Sequence, residues 1–424
     1  MSILLENCTY IDWQTLDFIP CHIKVEEGKT GKTSILPLDQ PINKGRFTSI
    51  IPCKGRHVTK SFAVGHHHVY SALARGMHAP EKWPQNFLET LQFIWWQLDK
   101  ALDEDAIRAS ALATAIFCAK DGSTFVIDHH ASPNHIKGSL NIIADVFDEV
   151  GLSHLLCYEI SDRDGVDRAE AGYRLTDEFL GSNQGLVGLH ASFTLGDKSL
   201  SKAKDLMEKH HSGIHIHVAE DLIDQELTMK NHQKTVVQRL SDFGFLDSPK
   251  TILAHCLHLS EQEKQKIKNS KAWIVQNMES NLNNKVGIFR GDNLGDRIML
   301  GTDGMHSDMI RSAQYAYFAS ERSDGVDPEK AYRRMRNVHH YISDNQFSGD
   351  GENNLVVLNY DGPTEFNKNN FLSHLIYGFH GGHVQHVISD GRLIVKDHVL
   401  QNIDEQAALL YAREQSERLW KRMH

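Results

Sequence analysis

Nowhere does the chain approach the ~18 consecutive apolar residues of a membrane helix, so no membrane partner is expected. Its start, Met1-Ser2-Ile3-Leu4-Leu5-Glu6-Asn7-Cys8, has neither the basic opening nor the unbroken apolar run of a secretory signal. Cysteine is scarce. The six residues (Cys8, Cys21, Cys53, Cys118, Cys157 and Cys256) are scattered with no CxxC pair, which fits reduced thiols in a cytoplasm. No run of Lys or Arg stands out, and the formal net charge of −10 argues against a nucleic-acid partner, which needs a basic face. Two catalytic motifs are missing as well. Without HExxH a helix-borne zinc protease is excluded. Without an HxE…PCxxC set the Cys-ligated nucleobase deaminases are excluded too. A small-molecule substrate is the partner that remains.

What is present is an ordinary globular composition, 40% apolar and 24% charged over 424 residues, long enough for one large core plus a smaller module. Histidine is abundant, at 27 residues, and its positions matter more than its number. The run Gly65-His66-His67-His68-Val69-Tyr70 follows the apolar segment Ser61-Phe62-Ala63-Val64. Side chains alternate along a strand, so His66 and His68 share a face and His67 opposes them. Other short apolar segments end the same way: Ile214-His215-Ile216-His217, Ile252-Leu253-Ala254-His255, and Met299-Leu300-Gly301-Thr302-Asp303.

Strand-like runs alternate with helix-like stretches from about residue 61 to 305. The strands are expected at Ser61–Gly65, Thr124–Asp128, His154–Tyr158, Leu186–His190, Ile214–Val218, Thr251–His255, Trp273–Gln276 and Ile298–Thr302. Helices are expected at Asn86–Ala101, Lys198–His211, Gln225–Phe243, Glu261–Asn269 and Glu329–Ile342. That order predicts an α/β fold, a distorted (β/α)8 TIM barrel. The two chain ends carry short β-type runs, with Asp390-Gly391 as a hairpin signal. They are expected to build one small β-sandwich domain together. The expected divisions are 1–60 for its first part, 61–350 for the barrel, and 351–424 for its second part plus a closing helix. Trp95-Trp96 reads as core packing, with Trp83 left open.

Barrel strands all end on one side, where the active sites of this fold lie, so His66, His68, His217 and Asp303 are expected to converge. Three imidazoles and a carboxylate with a place left for water make a catalytic zinc set. His215 shares parity with His217. His217 is preferred because it lies nearer the strand end and Glu220 follows three positions later. Glu220 is then placed to move a proton between water and substrate. His255 is expected to hydrogen-bond the water or the developing oxyanion, and Asp303 to take the water's proton. The fourth strand ends in His190, with no Lys to bridge two metals, which favours one. His129 and His130, at another strand end, face opposite ways, so at most one reaches the pocket. Arg75 would orient an anionic substrate group or anchor the first loop through carbonyls; Tyr70 and His306 are further candidates.

The order HxH, HxxE, His, Asp resembles the amidohydrolase superfamily, in its mononuclear aminohydrolase and chlorohydrolase branch. The motifs are His66–Gly76, Gly188–Thr194, Gln276-Asn277 with Ser280-Asn281, and Leu300–Asp303. Val126–Pro133, His215–Asp221 and Gly301–Gly304 with Ser307-Asp308-Met309 are similar to the SsnA-like aminohydrolases in particular. The resemblance implies one zinc, with iron or another divalent metal as the alternative, on His66, His68, His217 and Asp303. It implies Glu220, His255 and Asp303 as catalytic groups and His190 at the substrate; His129 and Arg75 are substrate-contact candidates from the residue pattern, each with packing or anchoring as the alternative. The implied reaction is deamination of a nitrogen heterocycle or amidine by zinc-bound hydroxide, releasing ammonia. Amide or urea hydrolysis, dechlorination, and a catalytically silent binding protein are the alternatives. The expected assembly is a homodimer or higher homo-oligomer. Three features depart from the family: Gln276 where many relatives have His, the Gly28–Leu36 segment, and the shortened Asn353-Asn354-Leu355.

Overall fold

The computed structural model describes residues 1–319 and 324–423. The first five strands, β1 (Ser2–Ile11), β2 (Phe18–Glu26), β3 (Thr33–Leu36), β4 (Ser49–Pro52) and β5 (His57–Lys60), belong to the small domain. Eight parallel strands follow: β6 (Phe62–His67), β7 (Ser123–His130), β8 (Ser153–Tyr158), β9 (Val187–Ala191), β10 (Ile214–Val218), β11 (Ile252–His255), β12 (Trp273–Gln276) and β13 (Ile298–Leu300). Four more return to the small domain: β14 (Leu355–Leu358), β15 (Val384–Ser389), β16 (Arg392–Lys396) and β17 (Val399–Leu400). All eight expected barrel strands are present.

The barrel closes through its strand ends. β6–β8 and β9–β13 pair as two sheets, and the parallel bridges Leu156 to Gly185 and Ile160 to Leu189 join β8 to β9. On the other side the Thr302 and Asp303 N–H groups donate to the His66 carbonyl at 3.0 and 3.1 Å, tying β13 to β6. Inside, Ala63, Phe125, Ile127, Leu155, Leu186, Trp273, Val275 and Met299 form an apolar floor, continued by Tyr341 and Ile342 of the last barrel helix, Pro328–Asp344. The outward residues of the same strands, such as Val126, Leu156, Leu189, Ile214 and Ile216, pack in the main core. Polar side chains take over toward the C-terminal ends, with His215 of β10 reaching into the layer beneath.

One local irregularity decides which histidines face in. Ala63 belongs to the interior layer, so simple alternation would send His67 inward. Between the pairs Val64–Val126 and His67–Asp128, however, β6 spends three residues where β7 spends two. This bulge reverses the parity and turns His66 inward. Gly65 makes it possible, because a Cβ there would lie 2.7 Å from the Leu300 carbonyl oxygen.

Two expected helices differ from the simple pattern. Asn86–Ala101 is broken into Phe87–Thr90 and Trp96–Ala101 by a π-helical turn over Leu91–Trp95. Gln225–Phe243 splits into Leu222–His232 and Val236–Asp242, where Gln233 adopts φ 54° and Thr235 caps the second helix. In the small domain, strands from both ends hydrogen-bond as one connected, mixed nine-stranded sheet. Asp390 and Gly391 (φ 47° and 71°) form the tight β15–β16 turn that their sequence signals. Between the barrel and the small domain the Asp350 side chain is buried, takes a hydrogen bond from Lys60 Nζ at 2.7 Å and pairs with His339 Nδ1 at 2.7 Å. Among the described residues no helix is long and apolar enough to cross a membrane, and the six cysteines are free and buried.

Candidate active site

His66, His68 and His217 converge at the C-terminal mouth of the barrel, and each ring is fixed through Nδ1. His68 Nδ1–H donates to the His129 carbonyl at 2.7 Å, and His217 Nδ1–H to the His190 carbonyl at 2.9 Å. His66 Nδ1 lies 2.8 Å from His215 Nε2. With Nδ1 carrying the proton, all three Nε2 lone pairs face one point. His68 Nε2 and His217 Nε2 are 3.2 Å apart there, and His66 Nε2 is buried with no hydrogen-bond partner. Asp303 Oδ1 completes the cluster, 3.1 Å from His68 Nε2 and 3.5 Å from His66 Nε2. Converging lone pairs beside a carboxylate repel one another unless a cation sits among them, and the donor set suits zinc. The chain therefore has a buried His/Asp site of metal-holding geometry.

Charge states agree with that arrangement. Burial holds His66 and His217 well below the usual imidazole range, so both are neutral and able to coordinate. In Asp303 burial opposes the charge, but contacts from His66 and His68 overcome it and keep the carboxyl ionised. Burial also pulls His68 down, yet Asp303 outweighs it and lifts His68 to about 9. Without a cation, the carboxylate thus draws a proton to the place a cation would take.

Glu220 and His255 stand beside this cluster. His255 Nε2 is 3.5 Å from Glu220 Oε2 and 3.9 Å from Asp303 Oδ2. Asn281 Nδ2 donates to His255 Nδ1 at 2.8 Å, which leaves Nε2–H pointing into the site. Burial, reinforced by Asp303, raises Glu220 well above the ordinary carboxylate range, so it carries a proton. The strand ends are bent to achieve this placement. Ala219, His255, Cys256 and Asp303 all adopt positive φ (46°, 73°, 55° and 51°), a conformation that costs non-glycine residues energy and clusters at functional sites.

The other predicted residues fall into two groups. His190 lines the cleft, with Nδ1 2.9 Å from Thr194 Oγ1. Tyr70 lines it too, and Asp221, read from sequence as surface, lines it while capping the next helix through Ile223 N–H at 3.0 Å. Arg75 and His129 do not line the cleft. Arg75 reaches the Met305 carbonyl at 3.5 Å and lies over the Phe117 ring, which is the loop-anchoring alternative. His129 points inward below the cluster, sharing the parity of Phe125 and Ile127, with Nε2 3.0 Å from the Leu189 carbonyl. His130 faces away and pairs with Ser132. His215 sits behind His66, and His306 pairs with Glu279 at 2.9 Å. Gln276 does not alter the pocket; its Oε1 accepts from Arg334 Nη1 at 2.8 Å.

Sequence reasoning missed part of the wall. The cleft is partly open to solvent. Trp95 and Trp96, expected as core, line it together with Phe87, Leu91, Phe193 and Ile223, whereas Trp83 is exposed. The π-turn aims Leu91 and Trp95 at the cleft. Glu159 and Arg163 line it as well, and Glu159 Oε2 is 3.4 Å from His129 Nδ1. A signal for Glu159 existed: it is the polar residue immediately after β8, placed like the His and Asp residues that end the other strands.

A closed parallel barrel that gathers imidazoles and a carboxylate at its strand ends defines the class of metal-centred barrel hydrolases. The sequence comparison names the family within that class. Residues 64–335, more than half of the chain, match the amidohydrolase family model, and the protein belongs to that family. It is 25% identical over 399 residues to a 5-methylthioadenosine/S-adenosylhomocysteine deaminase of Syntrophomonas wolfei, spanning 89% of this chain and 90% of that protein. It is also 25% identical over 377 residues to a 5'-deoxyadenosine deaminase of Methanocaldococcus jannaschii, covering 83% and 86%. In fold it resembles a solved adenosine deaminase from Xanthomonas campestris with bound zinc, at TM-score 0.82 and 18% identity over 98% of both chains.

Proposed function

We propose that this protein is a mononuclear zinc-dependent aminohydrolase that removes the amino group of an aminopurine-like heterocycle as ammonia. The observation that carries the reading is Glu220, its Oε2 3.5 Å from His255 Nε2, at the edge of the converged Nε2 and carboxylate cluster. The relatives named above act on adenine nucleosides, which supports the substrate class. Within the family, the Val126–Pro133 and Gly301–Met309 motifs favour the SsnA-like group.

His66, His68, His217 and Asp303 would hold the zinc. When bound, such an ion lowers the pKa of its water to about 7 and so supplies a nucleophile at neutral pH. A single ion is favoured because each ligand imidazole has only one free nitrogen. A second site on His129, Glu159 and His217 would need His217 to give up either its carbonyl bond or its place in the first. Glu220 Oε delivers its proton to the ring nitrogen next to the reacting carbon, so negative charge does not build up there. His255 Nε2–H donates to the oxygen at the tetrahedral carbon, and Asp303 Oδ2 accepts the proton shed by that oxygen. The shed proton passes to the amino group, which leaves as ammonia. His190 faces the substrate from the cleft wall.

Ammonia release from purines, pyrimidines, pterins and triazines, measured on zinc-loaded protein, tests this reading. Release from an aminopurine, lost in Glu220→Gln with zinc still bound, supports it. Hydrolysis confined to amides, ureas or chlorinated rings overturns it.

A further inference from the structure

The cleft outside the metal cluster combines an apolar rim with a charge arrangement that has no free cation. Among the described residues lining it there is one Lys or Arg side chain, Arg163. Three of the five N–H donors of its guanidinium are held by carboxylates. Nη1 donates to Glu159 Oε1 at 2.9 Å, Nε to Asp164 Oδ2 at 3.0 Å, and Nη2 to Asp99 Oδ2, while the Trp96 ring lies 5.0 Å from its centre. The neighbouring cation Lys100 is itself paired with Asp164 at 2.9 Å. Asp221 adds a further carboxylate to the cleft lining.

An anionic substituent entering here would shed its water and meet a guanidinium already shared by three carboxylates. Charge buried without a partner is strongly disfavoured, and like charges side by side add to the cost. An uncharged substituent meets no such penalty and gains contact with Trp95, Trp96, Phe87 and Leu91. We infer that the pocket selects heterocyclic amines whose substituent remote from the reacting carbon is uncharged and largely apolar, and rejects carboxylate- or phosphate-bearing counterparts. The inference rests on the aminohydrolase reading and narrows its substrate class. The Arg163 cluster is the specificity element: three carboxyl groups already offset the single positive charge of the guanidinium, so an added anion meets no net attraction.

Matched pairs test it. Ammonia release by zinc-loaded protein is followed with 5'-deoxyadenosine against adenosine 5'-monophosphate, and with pterin against pterin-6-carboxylate. The expected result is a kcat/KM on the order of a hundredfold higher for the neutral member of the reactive pair. Asp164→Asn removes one of the three carboxylates from a position outside the cleft, and should shift the ratio toward the anionic member. Equal or faster turnover of the anionic member by the unmodified protein overturns the inference. Reaction with pterin but not with 5'-deoxyadenosine would count against the aminopurine substrate, while the pterin pair still reads the charge preference. Ammonia from neither pair would overturn both.

Discussion

His215 is the sharpest test of how the metal cluster is held. It is fully buried, and its Nε2 accepts from His66 Nδ1–H at 2.8 Å. Its own Nδ1–H faces Cys157 Sγ at 3.7 Å, and that thiol donates to the Asp128 carbonyl at 3.4 Å. The relay fixes which nitrogen of His66 carries the proton, and so which one faces the cluster. His215→Phe keeps an aromatic ring at the position, a somewhat larger one, but removes the acceptor, leaving a buried N–H unsatisfied at a cost of ~1–3 kcal/mol. Loss of a hydrogen-bond partner behind a metal-ligating histidine typically weakens binding 10- to 100-fold, on the order of 1.4–2.7 kcal/mol. The two magnitudes agree. His68 and His217 keep their carbonyl bonds, so the rest of the cluster stays assembled. Zinc competition against a chromophoric chelator should therefore show a 10- to 100-fold higher Kd in the variant, on the order expected from such partners. Activity at saturating zinc should change far less. His215→Gln, which restores an acceptor, should recover part of the affinity. Unchanged zinc affinity in His215→Phe would refute the relay.

Three further outcomes follow from other parts of the structure. Glu220→Gln should retain zinc within a few-fold yet lose at least ~100-fold in kcat, the scale of a general acid, when ammonia release is assayed. Gly65→Ala places a methyl 2.7 Å from the Leu300 carbonyl and 3.3 Å from Val338 Cγ2, at the seam that closes the barrel. Urea unfolding should show a loss of ~1–3 kcal/mol, the range for overpacking; wild-type stability would contradict the bulge argument. Burial depresses His130 to about 3 and His339 to about 4, against the usual 6.5. Below pH 6.5 the unfolded chain takes up protons that these folded sites refuse, so their stabilisation is complete above that pH. It is lost as the pH falls toward 4, at ~1.4 kcal/mol per group per unit. Denaturant unfolding at pH 7 and pH 5 measures it, and equal stability at the two would count against neutral burial.

The sequence was most legible where one local rule decides the outcome. Apolar runs of strand length mark all eight barrel strands, and several of them end in a His or Asp. Asp390-Gly391 marks its turn, because only residues tolerant of positive φ fit it. Legibility failed where structure depends on partners far along the chain. The long helix expected at Asn86–Ala101 has an apolar rhythm that suits packing, and nothing in its spacing reveals the π-turn that redirects Leu91 and Trp95 into the cleft. Arg163 looks like a solvated loop residue until the fold brings Asp99 to it from the first connection.

The triple histidine shows why a right expectation can rest on an incomplete reason. Alternation correctly separates His67 from its neighbours, but it cannot say which face is the interior. Counted from Ala63, plain alternation would have put His67 inward and turned the pair away from the barrel. The bulge at Gly65 reverses that, and it is set by β7 and β13, whose residues lie far away in sequence. His255 depends on context in the same way. Ile252 faces the interior, so strict alternation would direct His255 outward, whereas Asp303 shares the parity of Met299. The left-handed backbone at His255 turns it back toward the cluster. Three of the groups that define the site thus reach it by leaving regular strand geometry. Strained backbone at the C-terminal rim, at Ala219, His255, Cys256 and Asp303, sits above an apolar layer that keeps its regular pairing across β11–β13 and supplies the rigidity that holds the site in place.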